Sequence, residues 1–270
     1  MIFIVCALHC EAKPIIERYS LRSDREAAFP VFLNEELVVV VTGIGKLLTA
    51  SAMSYAYARY HEPDYAAWLN LGVAGTKSAE LGALINVNKV IEDKSANNWY
   101  PVRLPQLFGD LNCAVVTVEN PKNHYVENIA FDMEASAFMS TALRYSSVEL
   151  IQLLKIVSDN EKNPLEEINK KQVTMLIENK ISQINSVIEA LQKNIKLFDE
   201  NYGESSLYEQ CITTWRFSEY QKKHLGRILN QWLALDDGAG FAAIEGLQSA
   251  KQVVGFINAK LSVSDIDFND

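Results

Sequence analysis

Glu134 sits in the stretch IAFDMEASAF (129–138), where apolar or small residues flank two carboxylates separated by a single methionine. An ionised carboxylate in such surroundings is costly to bury unless something pairs with it or hydrogen-bonds to it. The stretch therefore asks for a partner to Glu134. Two more acids raise the same question: Glu11, just beyond the apolar run IFIVCAL (2–8), and Asp159, which closes IQLLKIVSD (151–159). Any one of them can be read as a helix cap or a surface acid. Three acids at the ends of apolar runs point to a shared binding site.

The elements that would position them follow from hydropathy patterning. IFIVCAL, ELVVVVTG (36–43), AAWLNLG (66–72), NVNKVIED (86–93), CAVVTVE (113–119) and IQLLKIVSD suit strands, several of them rich in valine and isoleucine. EAKPIIERY (11–19), GKLLTASAMSYAYARY (45–60) and EASAFMSTALRY (134–145) suit helices. This alternation predicts an α/β fold, a mixed but mostly parallel sheet flanked by helices. In a doubly wound sheet of that kind, ligands gather at the carboxyl ends of the strands, where all three acids fall.

From Leu165 to Phe198 apolar residues recur at helical spacing, which predicts one long amphipathic helix on the order of 50 Å. Beyond it the chain turns helical again. Ser218 and Gln221 form a capping-box pattern, Asp236-Asp237-Gly238 reads as a break, and the acidic end SDIDFND (264–270) reads as frayed. The expected domains are residues 1–198 and an α-helical C-terminal extension, 199–270, packed on the first or lying at a subunit interface. Trp215, Phe217 and Trp232 would make an aromatic anchor for a partner if exposed.

Composition narrows the function. Among 270 residues the formal net charge is −9, and the short KKHLGR run (222–227) reads as a solvated helix face, so no nucleic-acid partner is expected. MIFIVCAL lacks a basic leader, and no apolar run approaches the roughly 20 residues of a membrane span. Cys6, Cys10, Cys113 and Cys211 are scattered, without a CxxC pair or a histidine cluster, which supports neither zinc nor a disulfide framework. The expectation is a cytoplasmic protein with no metal and no cofactor.

Two glycine segments invite comparison with nucleotide loops. TGIGK (42–46) is not a Walker loop, because Val40 and Leu47 hold positions where a glycine and a Ser or Thr are needed. Its glycines could serve a tight turn, or leave backbone amides open at a helix start. NLGVAGTKS (70–78) is not GxGxxG, though glycines after a strand suit close approach of a ligand.

Taken in order, CALHCEAKPII, TGIGKLLTA, NLGVAG, FDMEASAF and IVSDN resemble landmarks of the nucleoside phosphorylase and nucleosidase superfamily, especially its methylthioadenosine/S-adenosylhomocysteine nucleosidase branch. The likeness covers roughly residues 1 to 196. It implies a nucleoside phosphorylase-like fold, a small-molecule purine nucleoside substrate, and a homodimer or higher homo-oligomer. Cleaving an N-glycosidic bond develops positive charge on the ribose and negative charge on the base, so anions belong near the sugar and a proton donor near the base.

The resemblance implies that Glu134 accepts hydrogen bonds from the ribose hydroxyls, with Met133 against the sugar. It implies that Asp159, after Ser158, protonates a purine ring nitrogen, and that Glu11 activates water. Gly72, Val73, Ala74, Gly75 and Phe131 complete the expected substrate-binding set. In phosphorylases of the superfamily an arginine precedes the glycine segment and a serine lies within it. Asn70 and Val73 hold those places here, which favours hydrolysis over phosphorolysis.

Overall fold

A computed structural model describes residues 1–61, 66–102, 110–121, 125–202, 206–236 and 238–263. The frayed end expected over 264–270 and Asp237 of the expected break lie outside the described residues. The chain divides into two compact units, Met1–Leu197 and Phe198–Asp270.

The first unit is an α/β structure. Strand β1 (Ile2–Cys6) leads into helix α1 (His9–Arg18), then β2 (Arg22–Asp24), β3 (Val31–Leu33), β4 (Leu37–Val41), helix α2 (Lys46–Tyr60) and β5 (Ala67–Thr76). β6 (Leu84–Glu92), β7 (Asn98–Trp99), β8 (Leu111–Thr117) and β9 (Ile129–Asp132) precede helix α3 (Ala135–Tyr145), and β10 (Ile151–Asp159) completes the sheet. β1 lies between β4 and β5, and β5 also pairs with β10, all in parallel. Parallel pairs β6–β8 and β8–β9 continue the sheet, while β10–β6, β5–β9 and the short β2, β3 and β7 pair antiparallel.

Because β10 pairs with both β5 and β6, the path β10-β6-β8-β9-β5 closes on itself. A doubly wound sheet would have stayed open. Closure requires strands that bend, and irregularities interrupt the register at Val87/Lys89 and at Val157/Asp159. β9 and the short strands escape the sequence pattern because each has four residues or fewer, too few to show an alternation. The main core packs Phe3, Val38, Val40, Trp68, Leu153 and Phe138 with residues of α2 and α3, and Phe3 stacks on Trp68 at 4.5 Å.

The long helix expected over 165–198 is two helices, α4 (Lys170–Glu178) and α5 (Ile181–Tyr202). Asn169 starts α4 with a capping box, and the chain breaks at Asn179-Lys180, where a weak helix former meets a lysine paired to Asp110 at 2.7 Å. The periodicity survives the break: Val173, Ile177, Ile184, Val187, Ile188, Leu191 and Ile195 are buried.

The second unit contains α6 (Ser206–Thr214), α7 (Glu219–Leu235) and α8 (Ala250–Val263) around a core of its own. Ser218 and Gln221 cap α7 reciprocally, as their spacing predicts. Trp215 and Trp232 are buried inside this core, with Phe217 packed against it, so the exposure on which a partner anchor depended is not met. Their indole N–H groups donate to Leu247 O at 2.9 Å and to Asp236 Oδ2 at 3.1 Å. Among the described residues no helix is long and apolar enough to cross a membrane. The four cysteines are free and buried.

One helix contact bears directly on the site. Pro14 inside α1 has no N–H for the Cys10 carbonyl one turn back. Thr174 Oγ1 of α4 lies within donating distance of that carbonyl, at 3.0 Å, and shares its one proton with Lys170 O at 3.1 Å. Thr174→Val is expected to destabilise the protein by about 1 kcal/mol, read as a lower urea midpoint at unchanged m-value.

Candidate active site

Glu11 lies in the first turn of α1, 3% exposed. Its carboxylate accepts from Leu8 N at 2.8 Å, closing the start of the helix, and from Val73 N on β5 at 3.0 Å. Gly72 makes that approach possible, since a Cβ there would lie 2.9 Å from Glu11 Oε1. Burial pushes the Glu11 carboxyl above the ordinary range, opposed by the Leu8 and Val73 amides and by Lys155.

Glu134 is the N-cap residue of α3 and is 8% exposed. Its Oε1 accepts from Gly45 N at 2.8 Å. Gly43 and Gly45 hold φ of +86° and +100°, so the TGIGK turn does two things: it bends the chain through a glycine conformation and presents an amide to Glu134. Burial first, then the neighbouring charge of Asp132, pushes Glu134 up to about 7.

Between these acids stands Lys155, at mid-strand in β10 and 2% exposed. Its Nζ lies 2.9 Å from Asp132 Oδ2. Asp132 also accepts from Thr117 Oγ1 at 2.8 Å and from Ala135 N at 2.9 Å. Burial alone pulls the Lys155 ammonium down, but Asp132, Glu134 and Glu11 reverse this and leave it raised.

Asp159 ends β10, 4% exposed. Ser158 Oγ donates to Asp159 Oδ1, and the phenol of Tyr125 donates to Oδ2. Asp159 pairs with Gly75, and Phe131 of β9 pairs with the same glycine. Gly72 and Gly75 are three residues apart, so the two supports for Glu11 and Asp159 are separated by roughly 10 Å of strand. Phe131 and Met133 join Tyr125, Val116 and Val118 in a small apolar cluster beside them. Val73 meets Glu11 through its backbone, while the Ala74 methyl belongs to the main core and can face a ligand only through its peptide groups. Asn70 spends its amide on Val5 O at 3.1 Å.

No protein-family model matches the sequence. No curated protein matches it either. Solved structures do match. The 5'-methylthioadenosine/S-adenosylhomocysteine nucleosidase from Helicobacter pylori, with butyl-thio-DADMe-Immucillin-A, superposes at a TM-score of 0.55 and 14% identity, over 70% of this chain and 97% of that one. The 5'-methylthioadenosine nucleosidase of Arabidopsis thaliana gives 0.56 and 16%, over 69% and 95%. The enzyme from Colwellia psychrerythraea, in complex with adenine, gives 0.52 and 18%, over 67% and 94%. This chain has the nucleosidase fold.

In the nucleosidase fold of this chain, Lys155, Asp132 and Tyr125 escaped the sequence reading as contributors. Lys155 was a legible signal, because a lone lysine inside IQLLKIVSD must find a buried counter-charge. Asp132, two residues before Glu134, is its counterpart. Tyr125 carried no such signal, since its role depends on a partner 34 residues away, while the TGIGK glycines signalled an open amide but not its partner Glu134, 89 residues on.

Two outcomes follow from the charges. Lys155→Met leaves three buried carboxylates without their cation and is expected to cost about 3–5 kcal/mol in urea unfolding. Glu134 binds its proton more tightly folded than unfolded, so its contribution to stability is full below about pH 4.5 and is lost as pH rises through about 7. Glu134→Gln should therefore remove up to about 3 kcal/mol of the fall in stability between pH 5 and 8, measured as the difference between the two unfolding curves.

Proposed function

We propose that this chain is a purine nucleosidase, hydrolysing the N-glycosidic bond of an adenosine- or 5'-methylthioadenosine-type nucleoside. One observation carries the reading: Glu11 and Glu134 act electrostatically on the same buried Lys155, which lies in β10, the strand that Asp159 ends. A nucleoside presents matching needs, with hydroxyls and a developing cation at the sugar and a basic ring nitrogen at the base. The inhibitor and adenine held by the similar structures support a nucleoside ligand.

In this reading Glu134 accepts the two ribose hydroxyls beside the Gly45 amide. Those donors hold it ionised, lowering a proton affinity that burial has raised. Glu11 has a raised pKa for the same reason, which makes it a stronger base than an exposed glutamate and suits it to take a proton from water. Lys155 has three N–H donors, and its pair with Asp132 uses one of them. The others are suited to fixing that water. Met133 and Phe131 bound the sugar and base with apolar surface, the peptides of Gly72, Val73, Ala74 and Gly75 underlie them, and Ser158 holds the acid Asp159.

Water rather than phosphate is the acceptor. Phosphate needs cationic donors. Lys155 is neutralised by Asp132 and flanked by Glu11 and Glu134, while Lys46 is paired to Glu92 at 2.9 Å and to Glu119 at 2.6 Å.

Incubation with adenosine or 5'-methylthioadenosine should release free base without phosphate, followed by chromatography. Glu11→Gln and Asp159→Asn should each lower kcat by about 10²–10⁴-fold. Release that depends on phosphate overturns hydrolysis. Thermal stabilisation by nucleoside without any product identifies a binding protein instead.

A further inference from the structure

Both oxygens of Asp159 are engaged by hydroxyls of different origin. Ser158 precedes it in β10 and holds Oδ1, while Tyr125, 34 residues earlier in the chain, holds Oδ2. An aspartate gripped at one oxygen can still turn its carboxyl plane. A second grip from an independent element removes that freedom.

The surroundings are shaped for this pair. The Tyr125 ring is 5% exposed and sits in the apolar cluster of Val116, Val118 and Phe131, its centroid 6.5 Å from that of Phe131. Its Cε1 would lie 2.8 Å from a Cβ at Gly75, and Asp159 Oδ2 would be nearer still. Gly75 therefore owes its missing side chain to the Tyr125–Asp159 contact. A buried phenol needs a hydrogen-bond partner, and an aromatic ring locked by packing makes a stiff support for one.

We propose that Tyr125 is a positioning residue for Asp159, holding the carboxyl in the one orientation from which it serves the base. This rests on the nucleosidase reading above. Tyr125 acts through Asp159 and takes no proton from the substrate, so the phenol influences the chemical step while leaving most substrate contacts intact.

The test uses the full chain with Tyr125→Phe, which keeps the ring and removes only the hydroxyl. Steady-state hydrolysis of 5'-methylthioadenosine should show kcat lower by about 10–100-fold with KM within about twofold of wild type. In parallel, urea unfolding of wild type, Tyr125→Phe, Asp159→Asn and the double variant should give unfolding constants that fail to multiply by roughly fivefold or more. The proposal is overturned if kcat is unchanged or higher, if the loss appears in KM instead, or if the unfolding constants multiply. If the wild-type chain cleaves no purine nucleoside, the nucleosidase reading falls and the positioning role falls with it. The unfolding cycle then still reports whether Tyr125 and Asp159 share a bond, which separates that outcome from a missing contact.

Discussion

A single buried ammonium governs the arrangement of this site. Lys155 lies at mid-strand in β10, under 2% relative exposure, and is attracted by Asp132, Glu134 and Glu11. Two opposite charges a few ångströms apart gain far more in a protein interior than in water, and each is far costlier to leave alone. The acids come from α1, from the end of β9 and from the cap of α3. The cation is what makes their convergence tolerable. It does not offset the whole cost of burying them: burial, joined at Glu134 by the charge of Asp132, leaves the proton affinities of Glu134 and Glu11 raised. That residual cost is available to a ligand that brings hydrogen-bond donors.

Backbone geometry does the rest of the placement. Strand β5 carries two glycines whose missing side chains leave room for carboxylates, Gly72 for Glu11 and Gly75 for Asp159 with Tyr125. The glycines of the loop before α2 turn the chain with positive φ and aim an amide at Glu134. Each acid is thus seated on peptide groups or on hydroxyls before any ligand arrives, which is the kind of preorganisation that electrostatic catalysis requires. Closure of β5, β9, β8, β6 and β10 into a ring brings the last residues of β5, β9 and β10 side by side.

Much of this was legible in the residues. The strands rich in valine and isoleucine, the α2 and α3 helices, the capping box at Ser218 and the three acids at strand ends all follow from short-range rules of spacing and burial. The break at Asn179-Lys180 was not, because an apolar stripe keeps its period through a short interruption. The aromatic residues of the C-terminal unit left two readings open, an anchor if exposed or packing in a helical layer, and only the packing reveals that Trp215 and Trp232 face inward.

The sequence by itself determined the α/β class, the acids and the glycines near them, since local periodicity and the cost of burying charge act on neighbouring residues. Tertiary structure alone decided which partners those groups meet. Lys155 finds Asp132 across the sheet, Tyr125 finds Asp159, and the Gly45 amide finds Glu134. Each of these contacts joins residues far apart in the chain, and its energy exists only once the strands have closed and buried the groups away from bulk solvent.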